Sequence, residues 1–294
     1  MYEKIEHCPV CSSSDFTNEI ICNDHTVTNE KFAIVKCDNC QFLFTNPRPD
    51  VNTLEKYYDS DLYISHNSKG NTVVNRIYKF ARFFTLRKKE KLIKRKVSAD
   101  LTLLDYGCGT GHFISYCSKK GWNVSGVEPN NNARTIANGI TKNNVVDSIE
   151  KLNNKSTYQI ITLWHVLEHV PDLNILLKKL TEKLDKKGSL IIAVPNPNSL
   201  DAKIYKQYWA GYDVPRHLYH FTQESIKQLM KTHDLKVKEI IPMKLDSYYV
   251  SMLSEKYKNG KTNYIKSIIN GYKSNSYASK NEQNYSSLIY IIKK

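Results

Sequence analysis

The sequence predicts an α/β domain, a mostly parallel sheet with helices on both faces, preceded by a small metal-stapled module. Three observations carry that expectation. Near-continuous apolar runs, LTLLDY (101–106), WNVSGVE (122–128), YQIITLW (158–164) and SLIIAVP (189–195), alternate with longer amphipathic segments such as 111–120 and 172–185. Strands buried on both faces read as unbroken apolar runs, and alternation of strand with helix builds parallel βαβ units. The first run opens directly into three glycines within five positions, a strand–turn–helix junction where backbone can approach a ligand. Two CxxC pairs, finally, stand in the first 40 residues.

A chain of 294 residues accommodates one full α/β domain and a smaller attachment. Apolar content of 40% and charged content of 24% are those of a globular protein. The opening MYEKIEHCPV has no apolar signal core, and no run approaches the roughly 18 residues that cross a bilayer, so a cytoplasmic location is expected. The segmentation expected is a cysteine module over 1–48, ending in the turn-rich TNPRPD, a helical linker or lid over 49–98, and the α/β domain over 99–294. The linker carries Tyr57, Tyr58 and Tyr63. Within the last segment, 254–284 reads as a polar insertion before a closing strand, SSLIYIIKK.

The net charge of +14 is concentrated in 76–96, where ten basic residues accompany one acid, Glu90. Val73, Ile77, Phe80, Phe84, Leu92 and Ile93 recur there at helical spacing. The segment therefore reads as a basic helix covering the core, with a dock for anionic substrate or nucleic acid and a membrane-surface helix as the alternatives.

In LLDYGCGTGHF (103–113), Asp105 precedes Gly107, Cys108, Gly109 and Gly111. The spacing is GxGxG rather than the dinucleotide GxGxxG, no P-loop lysine follows, and Asp105 would repel a pyrophosphate. The pattern suits a phosphate-free, cationic nucleoside. S-adenosylmethionine (SAM), with its sulfonium and α-ammonium, is such a ligand. Glu128, 17 residues past Gly111 and at the end of the next strand, is placed to accept hydrogen bonds from ribose hydroxyls.

On these residues the chain resembles the class I SAM-dependent methyltransferases over roughly 99–245. YQIITLWHVLEHVPD (158–172) is similar to the fourth-strand motif of the subgroup containing ubiquinone-biosynthesis O-methyltransferases. VPNPNS (194–199) and WAGYDVPRHLYHFT (209–222) resemble bacterial members associated with surface-polysaccharide and small-molecule tailoring. The resemblance implies a Rossmann-like, seven-stranded sheet with its last strand antiparallel. It implies SAM contacts from Asp105, Gly107, Gly109, Gly111 and Glu128, with Cys108 presenting backbone inside the turn. It also places Asp147 near adenine and Trp164–His165 near the methionine portion. Gln159 stands where the family usually has aspartate.

Methyl transfer is an in-line displacement that needs alignment, and a base only where the acceptor must lose a proton. The histidines of WHVLEH and PRHLYHF are the candidates: His165 first, at a strand's carboxyl end, then His217 and His220, with Glu168 and His169 orienting the following helix. Arg216 offers a fork for a substrate carboxylate or phosphate. HVLEH also fits the HxxEH peptidase pattern. It follows a strand rather than lying within a helix, which argues against hydrolysis and leaves a divalent ion on His165, Glu168 and His169 as an alternative.

Cys8 and Cys11, then 25 residues, then Cys37 and Cys40, have zinc-ribbon spacing. Four thiolates close a tetrahedron, so the zinc expected is structural. Ser12 and Gln41 occupy the positions where glycine often follows CxxC, and Cys22 reads as a buried thiol. The function expected is O-methylation of a small-molecule or glycan-linked acceptor, one that can bear phosphate. An RNA methyltransferase and a non-catalytic SAM-fold scaffold are the alternatives. Diffuse lysine and the lack of an NPPY-type motif weigh against RNA, and the intact acids and glycines against a scaffold.

Overall fold

The computed structural model describes residues 1–58, 73–97, 100–153 and 156–294; of 73–82 it describes the backbone. Tyr63 and the side chains of Val73, Ile77 and Phe80 lie outside the described residues.

The strands are β1 (Tyr2–Glu3), β2 (Phe16–Asn23), β3 (Lys31–Cys37), β4 (Leu43–Thr45), β5 (Arg48–Pro49), β6 (Thr102–Tyr106), β7 (Asn123–Val127), β8 (Val145–Val146), β9 (Tyr158–Trp164), β10 (Leu184–Pro195), β11 (Tyr219–His220), β12 (Lys236–Pro242) and β13 (Ser287–Lys293). The longer helices are α1 (Val73–Lys94), α2 (His112–Ser118), α3 (Asn131–Thr141), α4 (Leu173–Lys183), α5 (Leu200–Tyr205), α6 (Gln223–Lys231), α7 (Asp246–Asn259) and α8 (Tyr264–Lys280).

Seven strands form one sheet in the order β12-β13-β10-β9-β6-β7-β8. The pairs β6–β7, β6–β9 and β7–β8 are parallel. The chain runs outward from β6 through β7 to β8, then returns to β9 on the other side of β6. That reversal makes the carboxyl ends of β6 and β9 a topological switch point, where open α/β sheets bind ligands. The apolar runs are buried as their composition requires: Leu103, Leu104, Ile160, Ile161, Leu163, Ile191, Ile192 and Val194 are all in the core.

The described residues fall into two compact units, 1–58 with 167–174 and 193–290, and 73–166 with 175–192 and 291–294. In the first unit the cysteine-bearing segment shares a hydrophobic core with residues far along the chain: Cys22, Phe32, Ile34, Leu43 and Tyr57 pack with Tyr205, Trp209, Tyr212 and Val214. Its four-stranded sheet, in the order β11-β4-β3-β2, is completed by β11, with Tyr219 opposite Phe44 and His220 opposite Leu43. The segment 254–284, read from sequence as a polar insertion, contains the end of helix α7 and the whole of α8. Their buried positions are Ser247, Ser251, Ser254 and Glu255 on α7, and Ser267, Asn270, Gly271, Ser274 and Ala278 on α8. Small inward side chains let two helices approach closely, and a composition-based reading scores them as loop-like.

A buried ionic knot fixes this unit. Arg216 Nη2 donates to Asp24 Oδ1 at 3.0 Å and Asp213 Oδ1 at 2.6 Å, and Nη1 donates to the Tyr57 carbonyl at 2.9 Å. Asp24 also accepts from the backbone amides of Thr26, Val27 and Thr28, which fastens the β2–β3 turn. Arg216 and Asp24 are 1% and 0% exposed, so removing one partner strands a charge without water. Arg216→Ala is expected to destabilise the first unit by about 3–5 kcal/mol, measured as a lowered urea midpoint.

Candidate functional site

The glycine turn belongs to the second unit. Gly107, Gly109 and Gly111 all adopt left-handed φ, at 71°, 54° and 75°. Their reasons for being glycine differ. A Cβ on Gly107 would lie 2.5 Å from Val166 Cγ2, and one on Gly111 2.8 Å from Ala137 Cβ, so both are demanded by packing. A Cβ on Gly109 would meet nothing within 4 Å. Gly109 is thus main chain bared toward open space, as a ligand lying on backbone requires. The turn is held below by the Val127 carbonyl, which accepts from Gly107 N at 2.8 Å and Cys108 N at 3.1 Å. The Cys108 sulfur lies against Gly126, where a Cβ would stand 2.8 Å from it.

Glu128 closes the turn from the tip of β7. Its Oε2 accepts from Gly109 N at 2.8 Å and its Oε1 from Asn130 N at 2.9 Å. Burial raises its pKa above the usual carboxylate range, while these two amides pull it back. A carboxylate has about four acceptor sites, so two amides leave room for a ligand's hydroxyls.

Asp105 is enclosed near the tip of β6. It is 3% exposed, opposite Thr162 in the β6–β9 register, and its Oδ1 accepts from Thr162 Oγ1 at 2.6 Å. Burial pushes its pKa up to about 7, with the Thr162 hydrogen bond and the nearby Lys89 charge opposing. Asp105 is a buried acid beneath the turn, tying two strand tips together.

Trp164 ends β9 and stands edge-on to Phe113, ring centroids 5.7 Å apart. Lys89 Nζ sits 4.3 Å from the Trp164 centroid, within cation–π range. Sequence reasoning missed Lys89, because nothing in a run of ten basic residues singles one out. The adjacent Glu90 anchors α1 by accepting from Trp122 Nε1 at 3.2 Å, and Ile93 is fully buried. His165, immediately after β9, holds φ at 56°. A left-handed histidine at a strand end is uncommon, and such strain concentrates at functional sites. Asp147 lies just past β8 and pairs through Oδ2 with Lys151 Nζ at 2.7 Å, which lowers its pKa.

The other candidate histidines lie in the first unit. Glu168, His169 and His217 each bring one ligating atom within 4.8 Å of the others, so the metal-compatible cluster there contains His217. His217 Nδ1 donates to the Gly211 carbonyl at 2.9 Å, and His169 Nδ1 to the Arg216 carbonyl at 3.0 Å. Carbonyls only accept, which places a proton on Nδ1 in both rings. Burial, then the neighbouring His217, pulls the His169 pKa down to about 4. Tyr58 Oη lies 3.0 Å from His169 Nδ1 and belongs to the same cluster, a partnership across 111 residues that no local pattern signals. His220 is 3% exposed, with Nε2 3.2 Å from Thr45 Oγ1, and burial holds its pKa well below the imidazole range. Arg216, read from sequence as a fork for substrate, directs its donors to Asp24, Thr26, Asp213 and Tyr57 instead. Desolvation inside the unit makes those partners obligatory.

The four cysteines converge. Cys8 Sγ lies 3.5 Å from Cys40 Sγ, Cys11 Sγ lies 3.5 Å from Cys37 Sγ, and all four sulfurs fall within 4.8 Å of one another. A tetrahedral zinc with Zn–S of about 2.3 Å needs sulfurs about 3.8 Å apart, so the set fits. Both knuckles fold alike. Ser12 N donates to Cys8 O at 2.9 Å and Gln41 N to Cys37 O at 2.8 Å; Ser12 and Gln41 both hold φ at 61°. The left-handed position where glycine is usual is therefore kept, with side chains that tolerate it.

Strand order, a glycine turn after the first sheet strand and an acid at the tip of the second define a class I SAM-dependent methyltransferase domain. Residues 75–240, more than half of the chain, match the family model described as a methyltransferase domain, and the chain belongs to that family. It is 25% identical over 155 residues to the ubiquinone biosynthesis O-methyltransferase of Rickettsia bellii (strain OSU 85-389), covering 48% of this chain and 64% of that protein. It is 29% identical over 119 residues to the Pelagibacter ubique protein of the same name, covering 38% and 48%. The chain thus spans less than two thirds of the length of these curated relatives. Among solved structures it resembles magnesium protoporphyrin IX methyltransferase from Synechocystis PCC 6803 with bound SAH, at a TM-score of 0.52, 13% identity, and 83% and 100% coverage. The plantazolicin methyltransferase BpumL in complex with SAH gives 0.51, 16%, and 81% and 92%. At these identities the likeness is one of fold.

The raised pKa of Asp105 gives a signed pH dependence. Unfolded, the carboxyl titrates near 3.9; folded, near 7. Between those values the native state alone holds the proton, so this group's contribution to stability falls as pH rises from about 4 to about 7, by up to about 4 kcal/mol. Denaturation of wild type and Asp105→Asn across that window is expected to show the slope in the first and a flatter profile in the second.

Proposed function

We propose that this chain transfers the methyl group of SAM to an oxygen of a small-molecule or glycan-linked acceptor. The observation that carries the reading is Gly109: bare backbone facing open space, its amide gripped by Glu128 from the neighbouring strand tip. When bound, SAM supplies a methyl group on a sulfonium, whose departure as a neutral thioether needs no acid catalyst. The protein's work is then placement. Glu128 receives the ribose hydroxyls on its remaining acceptor sites, Gly109 admits the nucleoside onto the main chain, and Trp164 with Phe113 forms an aromatic wall that sheds water. His165, one residue past β9 and in the same unit as the turn, accepts the proton that an acceptor hydroxyl loses as its oxygen bonds carbon.

Oxygen as the acceptor atom is supported by the names of the curated relatives, and a glycan-linked acceptor by the VPNPNS and PRHLYHF segments. The basic chain favours acceptors that carry phosphate. Cys8, Cys11, Cys37 and Cys40 hold a zinc with no open position, whose role is structural.

Gly109→Arg is expected to abolish SAM binding by calorimetry while leaving the far-ultraviolet dichroism intact; unchanged affinity would refute the placement. His165→Ala should keep SAM affinity and lose about 10²- to 10⁴-fold in turnover. A labelled-methyl assay across sugar nucleotides, lipids and RNA should label one of the first two, and labelling of RNA alone would replace the acceptor class. Metal analysis is expected to find one zinc per chain, kept in Glu128→Ala and lost when Cys37 and Cys40 become serine.

A further inference from the structure

Helix α8 turns its large apolar residues outward. Tyr264, Ile265, Ile268, Ile269 and Tyr272 follow i, i+1, i+4, i+5, i+8 and share one face, and each exposes between 46% and 75% of its surface. The opposite, buried face is Ser267, Asn270, Gly271, Ser274 and Ala278. Polar bonds lock the helix in this rotation. Asn270 Nδ2 donates to Tyr205 Oη at 2.9 Å, Ser274 Oγ to Asp201 Oδ1 at 2.6 Å, and Ser247 Oγ to the Gly271 carbonyl at 3.1 Å. A Cβ on Gly271 would stand 2.7 Å from Tyr248 Cδ1, so α7 fills the inner side. An amphipathic helix normally buries its apolar stripe in the core. Contiguous exposed apolar surface of this kind marks a partner or a membrane.

Charge selects between them. Residues 254–284 carry Lys256, Lys258, Lys261, Lys266, Lys273 and Lys280 against two acids, Glu255 and Glu282. Glu255 is buried and paired with Lys266 at 3.0 Å. Two-fold pairing of α8 with a second copy would bring these lysines together on a chain of net charge +14, whereas an anionic bilayer attracts them. Lysine beside an isoleucine face with tyrosines at its ends suits a helix lying in a membrane interface. No helix among the described residues is long and apolar enough to cross a membrane, so contact is with the surface.

We infer that α8 is a membrane-docking helix, its Tyr264–Tyr272 face entering the interface of an anionic bilayer and its lysines lying against lipid phosphates. The inference stands on α7 and α8 and does not depend on the methyl-transfer reading. The test is co-sedimentation of the full chain with phosphatidylcholine vesicles, with and without phosphatidylglycerol. Wild type is expected to bind the anionic vesicles and to be released by salt. Ile265→Ser with Ile268→Ser should weaken binding at least about tenfold, and Lys261→Glu with Lys273→Glu should do likewise, the fold of each variant being verified by circular dichroism. Ile136→Ser, exposed on α3, should bind as wild type does. Failure of wild type to bind anionic vesicles, or undiminished binding by the isoleucine pair, overturns the inference. So does a lipid-free dimer that the isoleucine pair dissolves, which would assign the face to a second copy.

Discussion

The candidate donor site depends on one hydrogen bond between an acid side chain and a peptide. Glu128 Oε2 takes the amide of Gly109 at 2.8 Å, across the gap between the tips of β6 and β7. Three alternating left-handed glycines would otherwise be the most freely moving part of the sheet edge, since glycine loses the most conformational freedom on ordering. The bond fixes the middle glycine, the one whose missing side chain opens onto space, while the outer two are fixed by contact with Val166 and Ala137. Ordering the turn before ligand arrives removes that entropic cost from binding. On the proposed reading the same half-buried carboxylate serves both the scaffold and the ligand.

Asp105 and Glu128 share a local pattern and differ in their surroundings. From sequence, two acids at neighbouring strand tips look equivalent, because each follows an apolar run by the same logic. The register separates them: Asp105 is opposite Thr162 within the ladder, whereas Glu128 lies one residue past the end of β7. One residue of strand decides whether a carboxylate is enclosed by the sheet or reaches the turn above it. Thr162 then satisfies the enclosed acid, and desolvation moves its proton affinity toward neutrality.

What the sequence made legible is what local pattern encodes. Apolar runs located β6, β7, β9 and β10, glycine spacing located the turn, and CxxC spacing located four sulfurs that meet. Long-range partners were hidden. Arg216 with Asp24 is a contact across 192 residues, and Tyr58 with His169 across 111. An arginine that holds substrate and one that holds the fold have the same local sequence; only the burial of its fork and the acids around it tell them apart. Lys89 is the converse case, one charge among many that becomes particular because Trp164 lies beneath it.

Helices α7 and α8 expose a subtler gap. Periodicity gives a helix an apolar direction, and the reader supplies the assumption that this direction is inward. Here the inward side is serine, asparagine, glycine and alanine, residues whose small volume allows close helix approach and whose hydroxyls and amides find partners at Asp201, Tyr205 and the Gly271 carbonyl. Because hydrogen bonds hold the helix on that side, the exposed isoleucines are not needed to fasten it to its unit. Their exposure leaves a hydrophobic driving force uncompensated within the unit. An apolar face unused by its own fold, flanked by lysines in excess of acids, has its lowest free energy where hydrocarbon and phosphate meet.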